Sequence, residues 1–142
     1  MKSSNGFTLL ELVVTIALVG ILLGTAIPTF HRVVAETQAQ VNISNMEIIK
    51  DTFLQYYYDN HISGNPHFPQ LPLDSLLNDS YRQITLGDGR TPDDLFSGDL
   101  PYNTNQKPYI YYWDNDLTTE RIVIKDIDPD SPSYNEKVVG EI

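Results

Sequence analysis

The chain has 142 residues and a mass of 16.1 kDa, which is the length of one folded domain. It carries 9 Lys and Arg against 19 Asp and Glu, a formal net charge of −10. This acidic excess argues against a nucleic-acid partner, because neutralising phosphates requires a basic face. It also argues against electrostatic docking on an anionic membrane surface. The chain has no cysteine, which excludes disulfides, thiolate metal sites and a cysteine nucleophile.

The apolar residues are concentrated near the N-terminus, where residues 7–30 contain a single charge, Glu11. As a helix with a rise of about 1.5 Å per residue, this segment would span roughly 36 Å, enough to cross a hydrocarbon core of about 30 Å. The leader before it, residues 1–6, is polar and carries one basic residue, Lys2. This charge predicts that the N-terminus lies inside the cell and the acidic remainder outside.

Two ordinary interpretations of this segment compete. The small residues 24–26 suit a secretory signal that would be removed as residues 1–26, but signal peptides have apolar regions of about 7–15 residues and this one runs on. A plain membrane anchor would leave a monomeric tethered module whose head holds calcium or a partner. For that anchor Glu11 is an unexplained cost, roughly 2.5–3.5 kcal/mol for an acid at the helix centre. An ionisable residue in such a place indicates a functional site.

Residues 6–11, with the sequence GFTLLE, resemble the class III signal of type IV pilins and of the pseudopilins of type II secretion systems. The likeness runs from Gly6 to about Ala35 and includes Pro28, which in that family kinks the N-terminal helix. The resemblance implies that a prepilin peptidase cuts between Gly6 and Phe7, removes residues 1–6 as a leader peptide, and methylates the new amine of Phe7.

The same resemblance gives Glu11 a role. In the family, the carboxylate at this position pairs with the N-terminal amine of a neighbouring subunit, here Phe7, during assembly. A partner of opposite charge offsets the cost of a lone charge in apolar surroundings. The resemblance implies that the protein is first a single-pass subunit of the bacterial inner membrane. An assembly platform, together with minor pilins, would then extract it from the lipid into a helical filament of identical subunits.

Residues 31–60 keep a helical pattern with a more polar composition. The apolar positions lie mostly three, four or seven apart, which predicts one stripe of an amphipathic helix that packs on a sheet: Ala35, Ala39, Met46, Ile49, Phe53 and Tyr56 or Tyr57. Glu47 and Lys50 are spaced as an ion pair. A continuous helix over residues 7–58 would be roughly 78 Å long. Since no compact domain of this size covers such a helix, its exposed half is expected to be buried by other copies.

Residues 61–142 read as an acidic head built from short strands and proline-rich loops. The pattern predicts strands at residues 81–86, 109–113, 120–127 and 137–142, and turns at residues 87–89 and 114–116. The prolines confine most of the remainder to loops. The predicted fold class is α+β: a long kinked N-terminal helix, packed through its amphipathic half against a small antiparallel sheet, as the pilin resemblance implies.

Two segments of the head are similar to the major pseudopilin of type II secretion. They are residues 57–60, followed by Phe68 and Pro69, and residues 92–98, followed by Pro101 and Tyr102. The C-terminal calcium loop of that subgroup is missing. The sequence therefore leaves pilus and pseudopilus open.

Aspartates that could form a calcium site are Asp114, Asp116, Asp126, Asp128 and Asp130. EF-hand spacing from Asp126 fails, because Ser131 replaces the glycine and Lys137 the glutamate. The alternative is a solvated acidic surface, and no other cofactor is expected.

Catalytic residues are few. The three histidines are His31, His61 and His67, and no nucleophile elbow, phosphate loop or zinc-protease motif is present. The sequence therefore predicts a structural protein rather than an enzyme. The aromatic clusters at residues 56–58 and 109–113 are predicted to cover the helix–sheet core, with a binding surface as the alternative.

Overall fold

The computed structural model describes residues 6–114 and 119–142, in which the chain forms two units. The first unit ends at Glu36, and the second extends from Thr37 to Ile142. The elements are α1 (Leu9–Ile62), α2 (Asp79–Arg82), α3 (Pro92–Leu95), β1 (Ile110–Trp113), β2 (Arg121–Lys125) and β3 (Lys137–Glu141). The predicted α+β class is confirmed.

The part of α1 that belongs to the second unit is amphipathic. Its buried side chains lie three or four residues apart and so share one face: Asn42, Met46, Ile49, Phe53, Tyr56 and Asn60. Of the two tyrosines considered for this stripe, Tyr56 is buried and Tyr57 half-buried. The predicted ion pair between Lys50 and Glu47 is confirmed.

The two ends of the predicted stripe differ from the structure. Ala35 is exposed, so its place on the stripe was wrong, and two asparagines, Asn42 and Asn60, occupy positions that the apolar pattern skipped. α1 stops at Ile62 because Gly64 turns the chain at φ +83°. The amide of Asn65 then donates to the carbonyl of Asn60 over 3.0 Å, which satisfies an end carbonyl.

The sheet is an antiparallel meander in the order β1-β2-β3. Three of the predicted strands are thereby confirmed. The side chains that pack with Met46, Ile49 and Phe53 of α1 come from all three strands: Tyr111, Ile122, Ile124 and Val138. On β3, Gly140 lies so close to α1 that an added Cβ would stand 3.0 Å from Cγ of Lys50. The helix and sheet thus form one core within the second unit.

The predicted strand at residues 81–86 was wrong. Tyr81 and Arg82 lie in α2, because the side chain of Asn78 accepts from the amides of Ser80 and Tyr81 and caps a helical turn. The turn at residues 87–89 is confirmed by the bond from the Leu86 amide to the Arg90 carbonyl, 2.8 Å.

A second short helix, α3, lies where a proline-rich loop was predicted. Thr91 and Asp94 form a capping box around it, with the Thr91 amide 2.7 Å from Oδ2 of Asp94. Pro92 suits the first helical position because that residue needs no amide partner. Arg82 joins the two short helices through Asp93, at 2.8 Å.

Candidate functional site

The N-terminus of α1 is closed by a reciprocal cap between Thr8 and Glu11. The Thr8 amide and hydroxyl both donate to Oε2 of Glu11, over 2.9 and 2.8 Å, and the Glu11 amide donates to the Thr8 hydroxyl over 3.2 Å. This is the Thr-x-x-Glu capping box, which satisfies amides that a helix start leaves unpaired. The acid singled out by the sequence is therefore fixed in the first turn of α1 by Thr8.

Both residues of the predicted cleavage site precede the helix. Gly6 and Phe7 are exposed, and the side chain of Phe7 is 83% accessible. A Cβ added at Gly6 would meet nothing within 4 Å. Cleavage between these two residues stays a prediction.

The first unit exposes apolar side chains around the whole circumference of its helix. They are Phe7, Leu9, Leu10, Leu12, Val13, Val14, Ile16, Leu18, Val19, Ile21, Leu22, Leu23, Ile27, Phe30 and Val33. α1 is long and apolar enough to cross a membrane by length and composition. A helix that is apolar on every side must be covered by lipid or by other helices.

The polar groups of this segment are satisfied within the helix. The hydroxyl of Thr15 donates to the carbonyl of Glu11 over 2.7 Å. The hydroxyl of Thr29 donates to the carbonyl of Thr25 over 3.0 Å. Such bonds let threonine reside in lipid without an unpaired hydroxyl. Pro28 lies inside α1, and the kink predicted there stays a prediction.

A second polar feature lies in the head and centres on Asp126, whose side chain is fully buried. Its Oδ2 accepts from the hydroxyls of Ser131 and Ser133, over 2.6 and 2.7 Å. Its Oδ1 accepts from the Asp128 amide at 3.0 Å and from Nδ2 of Asn103 at 3.3 Å. Four donors thus compensate the carboxylate for lost water.

Asn42 connects this cluster to α1. Its Nδ2 donates to both serine hydroxyls, at 3.0 and 2.8 Å, and its Oδ1 accepts from the Thr104 amide at 2.8 Å. We call Asn42, Asn103, Asp126, Asp128, Ser131 and Ser133 the Asp126 network. It joins α1, the loop before β1 and the loop between β2 and β3.

The candidate calcium ligands that the structure describes do not converge. Asp126 and Asp128 share Asn103 as a donor, whereas Asp130 and Asp114 are exposed and Asp116 lies outside the described residues. Within residues 6–114 and 119–142, no group of three or more His, Asp or Glu is arranged to hold a metal. Calcium binding stays an untested prediction.

Asp128 supplies a pH-dependent contribution to the stability of this region. Nδ2 of Asn105 donates to its carboxylate over 2.7 Å, and this bond lowers the pKa of Asp128 below its usual value. The stabilisation is fully present above the unfolded-state pKa of about 3.9 and is lost as the pH falls through the lower folded-state pKa.

We therefore expect Asn105→Ala to lower the melting temperature at about pH 7 and to have a much smaller effect at about pH 2.5. Thermal unfolding of the full chain in a non-ionic detergent, followed by circular dichroism, would measure the difference in melting temperature between variant and native chain at each pH. An equal difference in melting temperature at the two pH values would contradict the stabilisation of ionised Asp128 by Asn105.

The aromatic residues mostly form the core, as predicted. Tyr56, Tyr109 and Tyr111 are buried, whereas Tyr58 and Trp113 are exposed. Both ring nitrogens of His67 are engaged, Nε2 with the Tyr56 hydroxyl at 3.0 Å and Nδ1 with the Asn65 carbonyl at 2.7 Å.

Comparison with known proteins bears on the N-terminal segment. Residues 1–27 match the family described as "Prokaryotic N-terminal methylation motif". The chain is 40% identical over 50 residues to a fimbrial protein of Pseudomonas aeruginosa, covering 35% of this chain and 32% of the relative. It is 35% identical over 71 residues to the type IV major fimbrial protein FimA of Dichelobacter nodosus, covering 49% and 44%. The N-terminal part of the chain is therefore similar to type IV pilins.

A further relative of this pilin-like chain is the type IV major pilin protein PilE1 of Neisseria gonorrhoeae, 31% identical over 87 residues, covering 60% of this chain and 41% of the relative. The chain thus spans less than half the length of these relatives. No solved structure matches it significantly. The relatives named here are fimbrial or pilin proteins, which accords with a structural role.

Two functional features escaped the sequence reasoning. The first is the helix cap by Thr8, whose spacing from Glu11 is that of a capping box. Asn42 lies three residues after Ala39 and four before Met46, so its place on the apolar stripe could have shown that it is buried.

Proposed function

We propose that this pilin-like chain is a structural subunit that polymerises through residues 7–30 into a filament, a type IV pilus or a type II secretion pseudopilus. The observation that carries the proposal is the exposed apolar surface of residues 7–30, interrupted by one acid, Glu11, near its start. Lipid covers this surface before assembly, and the same segments of other copies cover it afterwards.

Processing creates the charge that Glu11 needs. Hydrolysis of the bond between Gly6 and Phe7 by a prepilin peptidase leaves an amine on Phe7, which is then methylated and stays cationic. Gly6 and Phe7 stand exposed before the first turn, which suits access by the peptidase. The proposed topology places this end at the cytoplasmic face of the inner membrane and the acidic head outside.

Glu11 is arranged so that one carboxylate serves two purposes. Both bonds from Thr8 go to Oε2, and among the residues that the structure describes no donor reaches Oε1. Oε1 thus accepts the amine of a neighbouring Phe7 while Oε2 continues to cap the helix. An acid paired in this way sets the axial position of one subunit against the next.

The head supports assembly by keeping its acidic surface outside the bundle. Its core holds the buried face of the second part of α1 against the sheet, whereas residues 7–30 keep most of their apolar side chains exposed for contact between subunits. An assembly platform and minor pilins would supply the energy and the starting point for extraction from the membrane.

The test is the mass of the N-terminal peptide of the protein isolated from its own cells, with electron microscopy of the same sample. We expect N-methyl-Phe7 at the N-terminus and filaments that contain the chain. An N-terminus at Met1 without filaments would indicate a tethered monomer, and an N-terminus at Ile27 an exported protein. Either result would overturn the proposal.

Filaments sheared from the cell surface would indicate a pilus. Loss of a secreted enzyme on deletion, without surface fibres, would indicate a pseudopilus.

A further inference from the structure

A small cavity beside Trp113 lies within the second unit. It has a volume of about 190 Å³ and is lined by Pro66, His67, Phe68, Trp113 and Glu120, all in the second unit. Sites for drug-sized ligands measure roughly 300–1,000 Å³, so this cavity suits the end of one side chain.

The lining combines the carbon faces of aromatic rings with polar atoms, among them the Glu120 carboxylate. The indole N–H of Trp113 donates to the Tyr111 hydroxyl over 2.8 Å, yet 42% of the residue is exposed. Both ring nitrogens of His67 are engaged within the head. Phe68 is held by Tyr57, with ring centroids 4.8 Å apart. The cavity thus has fixed aromatic walls, since each ring has a partner behind it.

Glu120 supplies the charge at this cavity. It is exposed, and no basic side chain among residues 6–114 and 119–142 forms an ion pair with its carboxylate. Arg121, the neighbour along the chain, pairs instead with Glu141 at 2.9 Å. A single carboxylate beside aromatic faces is a poor metal site, because hard cations need several oxygens, but it suits an organic cation.

We propose that this cavity, the Trp113 cavity, binds an arginine side chain presented by a partner protein. A guanidinium stacks on aromatic faces and pairs with a carboxylate at the same time, whereas an ammonium is more strongly hydrated. The net charge of −10 draws a basic partner toward the head over distances longer than the contact itself. The proposal does not depend on whether the chain polymerises.

Trp113 is the only tryptophan of the chain, so its fluorescence reports this cavity directly. The full chain in a non-ionic detergent would be titrated with N-acetyl-arginine amide and, separately, with the neutral isostere N-acetyl-citrulline amide. We expect a saturable change in Trp113 emission with the arginine compound and binding about tenfold weaker for citrulline, which loses both the cation–π and the ionic contribution.

Glu120→Gln is expected to weaken arginine binding about threefold while the emission spectrum of the free protein stays unchanged. The matched control is Glu136→Gln, which removes the same charge from an exposed site elsewhere on the head and should leave binding unaltered.

Equal binding of arginine and citrulline compounds, or equal weakening by the two variants, would overturn the proposal. So would a saturable response to glucose with none to arginine, which would indicate a carbohydrate site.

Discussion

Replacing Glu11 with glutamine should abolish filaments, whereas replacing Thr8 with alanine should leave most of them. Glutamine keeps an oxygen that can accept from the Thr8 amide and hydroxyl, so the cap is largely retained. What it loses is the negative charge, and the amine of Phe7 on a neighbouring copy then remains unpaired in apolar surroundings. The cost of such an uncompensated charge is about 3–5 kcal/mol for each subunit contact.

Thr8→Ala is the matched control because it removes the cap and keeps the charge. The lost cap costs about 1 kcal/mol of helix stability, at an end of α1 that the membrane and neighbouring helices also support. The measurement is the amount of sheared filament relative to total subunit for each variant, with the N-terminal mass as a check that cleavage still occurs.

If Glu11→Gln formed filaments as well as the native chain does, the pairing of Glu11 with Phe7 would be refuted. If Thr8→Ala also abolished filaments, assembly would depend on the cap at the start of α1 and not on the charge of Glu11 alone. The pair of substitutions therefore separates the helix cap that the structure shows from the pairing with Phe7 that we propose.

Replacing Asp126 with alanine should destabilise the head by about 3 kcal/mol. The carboxylate is fully buried and accepts from Ser131, Ser133, Asn103 and the Asp128 amide. Alanine would leave these donors buried without an acceptor, and each such group costs about 1–3 kcal/mol. Removing a buried charge is itself favourable and offsets part of this cost. The expected destabilisation is therefore smaller than the summed cost of the unpaired donors.

The measurement is urea unfolding of the full chain in a non-ionic detergent, followed by the fluorescence of Trp113 in β1. Asp130→Ala is the control, because its carboxylate is exposed in the same loop, and it should stay within about 0.5 kcal/mol of the native chain. Asn42→Ala should be destabilising as well, since it disconnects α1 from the serines. A loss below about 1 kcal/mol for Asp126→Ala would contradict the role assigned to the network.

Much of the fold could be predicted because its signals are local. The apolar run of residues 7–30, the helical stripe through Met46, Ile49 and Phe53, and three of the strands follow from periodicity. Strand 81–86 was mispredicted because the cap from Asn78 outweighs the alternation of the residues that follow it. Likewise, the capping box of Thr91 and Asp94 makes a helical turn of a segment that its prolines suggested was a loop.

Some residues of the candidate site could likewise be assigned from the sequence, and others could not. Gly6 and Phe7 are assigned from the resemblance to pilins, and Glu11 also because a lone acid in an apolar run is costly wherever the chain folds; their roles stay predictions. The aspartates could not be assigned, because calcium ligands and hydrogen-bond acceptors look alike in a list of residues. The sequence predicts Asp126 as a surface or metal-binding acid, whereas the structure surrounds it with donors from the loop that follows it and from Asn103.

The sequence by itself thus determined a pilin-like N-terminal segment, a helix that continues into the head, and an acidic surface, because composition and periodicity act between neighbours in the chain. Only the tertiary structure decided that Ser131 and Ser133 bridge Asn42 to Asp126, 84 positions away, and that Trp113 and Glu120 border one cavity. Packing brings such residues together, and the distances that result set the strength of hydrogen bonds and charge interactions.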